Sequence, residues 1–138
     1  MKLRRDQKIE QIARVPLFAR CSKAELARVA ALADEVELPE GALLAREGRP
    51  GLEFFVLLDG TVAVTRAGKR VASLGPGDFF GEIALVHGSP RTATVTATAP
   101  VRVLAVSYRD FSSLLGTSPQ IQAKILKALA ERLVPTSL

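Results

Sequence analysis

The sequence is poor in the side chains from which most reactive centres are built: among 138 residues it has one cysteine, one histidine, one tyrosine, one methionine and no tryptophan. Cys21 alone cannot form an internal disulfide, which agrees with a reducing compartment. Zinc and non-haem iron sites draw on clusters of His, Cys and carboxylate ligands, so His87 and Cys21 are a poor basis for a metal site and none is expected. A Cys–His nucleophile pair would need these two residues to meet, and a Ser–His arrangement would depend on His87 alone. No catalytic residue is assigned, and His87 reads as an exposed loop histidine. No apolar stretch approaches the ~18 residues that cross a bilayer, and Met1-Lys2-Leu3-Arg4-Arg5-Asp6 runs into polar sequence, without a signal-peptide core. The expectation is a cytoplasmic protein with no membrane segment and no cofactor.

What is present suits a folded core: 48% hydrophobic and 24% charged residues, in a length usual for one domain spanning 1–138. The net charge of +5 is terminal, with six basic and two acidic side chains in residues 1–20, three and one in 121–138, and a slight acidic excess between. The basic residues alternate with apolar ones at helical spacing, and aromatics are only 5%. They read as solvated helix faces, so no nucleic-acid partner is expected.

The hydrophobic period divides the chain into helical ends (1–33 and 107–134) and a strand-rich middle (34–106). Leu3, Ile9, Ile12 and Ala13 suggest a first helix that stops before Pro16. Ser22-Lys23-Ala24-Glu25 is a capping box opening a second, with Leu26, Val29, Ala30 and Ala33 on one face. Short runs at 36–38, 42–46, 53–58, 61–65, 70–74, 78–80, 91–98 and 101–106 read as eight strands, separated by Gly/Pro/Asp turns. Among these breaks Asp59-Gly60 is the sharpest hairpin signal. Eight short strands in about seventy residues predict a mainly β sandwich or jelly roll with flanking helices. Ser107-Tyr108-Arg109-Asp110 caps a helix predicted to end at Gly116. Ser118-Pro119 opens the last one, on which Ile121, Ile125, Leu129 and Leu133 form a stripe.

Residues 79–95 carry the chemistry. Gly81 followed by a short helical turn would expose amide N–H groups that suit an anion, and Arg91 returns a planar guanidinium suited to phosphate. With the Glu82 carboxylate these groups suit a ligand that joins a monoanionic phosphate to a sugar hydroxyl, as a cyclic nucleotide does. On spacing alone the same residues also fit a turn glycine, a carboxylate at a helix N-terminus and a surface arginine.

Gly81-Glu82-Ile83-Ala84-Leu85 followed without a gap by Gly88-Ser89-Pro90-Arg91-Thr92-Ala93-Thr94-Val95 resembles the phosphate-binding cassette of the cyclic-nucleotide-binding domain family. That family includes protein kinase A regulatory subunits, cyclic-nucleotide-gated channels and bacterial catabolite activators. Val15-Pro16-Leu17-Phe18, Gly41, Glu47-Gly48, Asp59-Gly60 and Gly75-Pro76-Gly77-Asp78-Phe79-Phe80 resemble further family landmarks, in order over nearly the whole chain.

The resemblance implies an eight-stranded jelly-roll barrel with N-terminal helices and two C-terminal helices. It implies a ligand site of Gly81, Glu82, Ile83, Ala84, Arg91, Thr92 and Ala93, in which Arg91 pairs with the cyclic phosphate, amides near Ala84 and Thr92 bond its other oxygens, and Glu82 accepts from the ribose 2′-hydroxyl. Thr92 is compatible with either base, and cAMP is expected to be favoured with cGMP tolerated. Leu129 and Leu133 would cover the purine and Arg132 would stack on it; in the alternative reading the stripe of Ile121, Ile125, Leu129 and Leu133 only packs on the barrel. The expected function is a non-enzymatic sensor whose last helix moves on binding and is read by an effector protein or domain. A degenerate fold used for protein contacts, or the sensor half of a larger regulator or channel, are the alternatives. With no extended heptad in the last helix, a monomer or weak dimer is expected.

Overall fold

The computed structural model describes residues 4–81 and 90–133, with the helical backbone alone at 129 and 131–133. Helix α1 (Arg5–Ala13) and a 3₁₀ turn (Pro16–Phe18) lead into α2 (Lys23–Leu32). Eight strands follow: β1 (Ala33–Leu38), β2 (Leu43–Ala45), β3 (Glu53–Asp59), β4 (Val62–Arg66), β5 (Lys69–Leu74), β6 (Phe79–Phe80), β7 (Thr94–Ala97) and β8 (Val101–Ser107). Helices α3 (Tyr108–Thr117) and α4 (Pro119–Leu133) close the chain. No helix among the described residues is long and apolar enough to cross a membrane.

The strands form two four-stranded antiparallel sheets, ordered β1-β8-β3-β6 and β2-β7-β4-β5. This is the expected jelly-roll arrangement, and it explains why β3 and β8 are continuous apolar runs without alternation. Each is buried on both faces. Phe54, Val56, Leu104 and Val106 face the helices, where they join Ile12, Phe18, Phe111, Ile121 and Ile125. Phe55, Leu57, Val103 and Ala105 face the second sheet and join Val62, Val95 and Ala97. The Phe79-Phe80 pair divides the same way: Phe79 packs on Phe54, with ring centroids 6.1 Å apart, and Phe80 stacks on Phe55 at 5.0 Å.

The turn chemistry resolves differently from the expectation. Asp59-Gly60 is not a hairpin, because β3 and β4 lie in different sheets. It is a corner where the chain crosses between layers. Gly60 is required there twice over: φ is +88°, and a Cβ would stand 2.3 Å from the Pro100 carbonyl on the neighbouring β7–β8 crossing. The two-residue hairpin is Ala67-Gly68 instead, with Arg66 paired to Lys69 and φ of 52° and 80° at its central residues, the positive pair that a type I′ turn demands. Alanine carries strain at this backbone angle, so Ala67→Gly should raise the unfolding free energy by about 0.5 kcal/mol, read by urea denaturation. The last strand before the barrel closes is also shorter than the predicted 91–98: residues 91–93 bend away from the ladder. Gly116 lies inside α3, which ends at Thr117.

Both predicted caps are present. Ser22 Oγ accepts from the Glu25 amide at 3.2 Å while Glu25 Oε1 accepts from the Ser22 amide at 2.7 Å. Ser107 Oγ accepts from the Asp110 amide at 3.1 Å. Glu25 does more than cap. Its Oε1 also pairs with Lys124 Nζ on α4 at 2.5 Å, fastening the last helix to the start of α2. The Lys124 hydrogen bond, then the Ser22 amide, hold the Glu25 carboxyl below its ordinary pKa. Burial, and secondarily Glu25, push the adjacent Cys21 thiol up, with Lys124 opposing them. A depressed carboxylate stabilises the fold above its unfolded pKa and loses that contribution as pH falls through the folded value. Glu25→Gln, which retains a capping acceptor, should cost about 1 kcal/mol at neutral pH, a modest figure because Lys124 is partly exposed. The gap between the wild-type and variant melting temperatures should close as the solution is acidified below the ordinary carboxylate range.

Candidate functional site

Arg91 is placed by its backbone before its side chain. Pro50 and Pro90 form an isolated antiparallel bridge, the Arg91 amide donates to the Arg49 carbonyl at 2.8 Å, and the Gly48 amide donates to the Arg91 carbonyl at 2.9 Å. The β2–β3 loop therefore grips this residue where the β7 ladder has ended. The guanidinium then reaches the start of β3, where Nη2 donates to the Glu53 carbonyl at 2.5 Å.

Two glycines make room for it. A Cβ on Gly51 would lie 2.8 Å from both Cζ and Nε of Arg91, and one on Gly81 would lie 2.6 Å from Nη1 and 2.8 Å from the Glu53 carbonyl. Gly81 also has φ of +86°, reached directly after β6. Arg91 is thus a half-buried cation clamped between two glycine backbones and a strand carbonyl, with its planar fork oriented and little rotamer freedom left to lose on binding an anion.

The residues expected at the site are accounted for as follows. Gly81 and Arg91 are brought together. Thr92 is exposed and Ala93 half-buried on the segment that follows, and the Thr92 carbonyl accepts from Arg66 Nε at 3.1 Å. Glu82, Ile83, Ala84 and His87 lie outside the described residues. So do the side chains of Leu129, Arg132 and Leu133, whose backbones continue α4. Of the α4 stripe, Ile121 and Ile125 are buried in the cluster between the helices and the first sheet, so the first half of the helix is a packed anchor. The contacts of Gly51 and the Glu53 carbonyl with Arg91, and of Arg66 with Thr92, are not legible in the sequence. Gly51 carried only a turn signal in Gly48-Arg49-Pro50-Gly51.

Compared with known proteins, residues 35–118 match the sequence model of the cyclic nucleotide-binding domain. The chain belongs to that family. It is 39% identical to a cyclic nucleotide-gated potassium channel of Mesorhizobium japonicum over 121 residues, covering 88% of this chain and 34% of the channel. Among solved structures, the N-terminal domain of a transcriptional regulator from Streptomyces coelicolor A3(2) superposes with a TM-score of 0.78 at 35% identity, covering 88% of this chain and 91% of that one. The regulatory domain of Toxoplasma gondii PKA, co-crystallised with cAMP, gives a TM-score of 0.80 at 25% identity, over 93% of this chain and 50% of that one. The cyclic nucleotide-binding domain described here spans about a third of the channel's length.

Proposed function

We propose that this domain binds a 3′,5′-cyclic nucleotide, cAMP in preference to cGMP, and passes the bound state on through movement of the distal half of α4. The observation that carries the reading is the clamped Arg91, a preoriented guanidinium between Gly51 and Gly81 with the cassette sequence running directly between Gly81 and Arg91. In this reading Arg91 neutralises the cyclic phosphate, and the Ala84, Thr92 and Ala93 backbones supply neutral donors. Glu82 accepts from the ribose 2′-hydroxyl, and Gly81 and Ile83 shape the turn that brings these groups to the ligand. Leu129, Leu133 and Arg132 then close over the base. The cAMP-bound kinase relative supports the choice of purine.

Anchoring at Ile121, Ile125 and Lys124 leaves the later turns of α4 as the part able to respond. The domain does no chemistry of its own in this reading: it is a regulatory module whose state is sensed by an effector protein or a covalently attached domain. Isothermal titration with cAMP and cGMP tests it. Micromolar or tighter binding of cAMP, weaker binding of cGMP and no nucleotide turnover are the expected results; no heat with either ligand sinks the proposal in favour of a protein-contact role.

A further inference from the structure

The rungs between β4 and β7 run from Val62–Ala97 to Thr65–Thr94. One residue further along β4, the Arg66 side chain takes the place of the next rung, donating from Nε to the Thr92 carbonyl. The opposite edge of the same segment is held by the β2–β3 loop: Gly48 donates to the Arg91 carbonyl at 2.9 Å, and the Glu47 amide donates to Thr94 Oγ1 at 3.0 Å. The Glu47 carboxylate also accepts from the Ala67 amide at 3.0 Å, which ties the tip of the hairpin carrying Arg66 to that loop.

A trans peptide sets its carbonyl and the following N–H on opposite sides. Holding the Arg91 carbonyl at Gly48 therefore turns the Thr92 N–H away from the loop. Holding the Thr92 carbonyl at Arg66 turns the Ala93 N–H away from the hairpin. We infer that Arg66 is a positioning residue for the anion-binding segment Arg91–Ala93: its Nε–H fixes the Thr92–Ala93 peptide, which sets the direction of the Ala93 N–H and the path of the backbone that carries the Thr92 amide to the ligand phosphate. The inference rests on the cyclic nucleotide reading above. Arg66 acts from outside the ligand site, through a backbone carbonyl.

Arg66→Gln and Arg66→Met separate this role from a general effect of charge. The glutamine amide nitrogen stands as many bonds from Cα as arginine Nε and retains an N–H donor, whereas methionine reaches as far without one. Both lose the cation, so any difference between them reports the hydrogen bond and not the electrostatic field. In calorimetric titration with cAMP, Arg66→Met should bind roughly tenfold more weakly than wild type and Arg66→Gln within about threefold. Both should melt within about 2 °C of wild type, since Arg66 is exposed. In the ligand-free protein the Thr92 carbonyl ¹³C and Ala93 amide ¹⁵N resonances should shift in Arg66→Met and return towards wild type in Arg66→Gln. Equal affinities for the two variants, or unmoved resonances in Arg66→Met, overturn the inference while wild-type binding keeps the nucleotide reading intact. A wild-type protein that binds neither nucleotide overturns both.

Discussion

Arg91→Ala is expected to bind cAMP one to two decades more weakly than wild type, or worse, in a calorimetric titration. A hydrogen bond to a charged group contributes roughly 1.5–3 kcal/mol, and each 1.4 kcal/mol is a factor of ten in affinity. Preorganisation raises the effect towards the upper end, because the guanidinium is already oriented by the Glu53 carbonyl and the two glycines. The substitution also removes the donor to Glu53, so a melting curve accompanies the titration. Arg91→Lys serves as the second variant: it keeps a cation but not the planar fork, and should fall between alanine and wild type. Unchanged cAMP affinity in a folded Arg91→Ala protein would remove Arg91 from the site.

Gly81→Ala should damage both stability and binding. Its φ of +86° disfavours any Cβ, and the added methyl would press on Arg91 Nη1 and the Glu53 carbonyl at 2.6 and 2.8 Å. The backbone strain and the displaced contacts together should cost about 2–4 kcal/mol of stability, measured by urea denaturation. Affinity for cAMP should fall at least tenfold at a temperature where the variant is still folded, since the methyl group dislodges the guanidinium. A double-mutant cycle checks the mechanism. If Gly81 makes room for Arg91, the stability loss from Gly81→Ala should shrink in an Arg91→Ala background without vanishing, the remainder belonging to backbone strain and the Glu53 carbonyl. Full additivity would mean that the two residues act independently, contrary to the geometry.

The parts of the fold legible in the sequence are those decided within about four residues. Ser22 with Glu25 and Ser107 with Asp110 were readable as caps because a side chain and the amide three residues on cannot avoid each other at a helix start. Strand positions were readable from apolar runs and their breaks, and the family cassette marked Gly81 and Arg91. Layer assignment was not readable. Asp59-Gly60 and Ala67-Gly68 both place a glycine at positive φ, yet one crosses between sheets and the other joins two paired strands. The local chemistry allows the bend, and only the burial of β3 on both faces decides that β4 must start a second layer.

The site divides along the same line. Sequence by itself determined that the protein has one histidine and one cysteine, too few for a cluster of metal ligands, that Gly81 and Arg91 stand in a stretch resembling a phosphate-binding cassette, and that helices flank a barrel. Tertiary structure decided what holds those residues in place. Gly51 lies 40 positions before Arg91 and Arg66 lies 26 before Thr92, while Glu25 and Lys124 are separated by 99. No propensity or spacing rule reaches across such distances, because these contacts exist only once two sheets and two helical termini have packed around a common core.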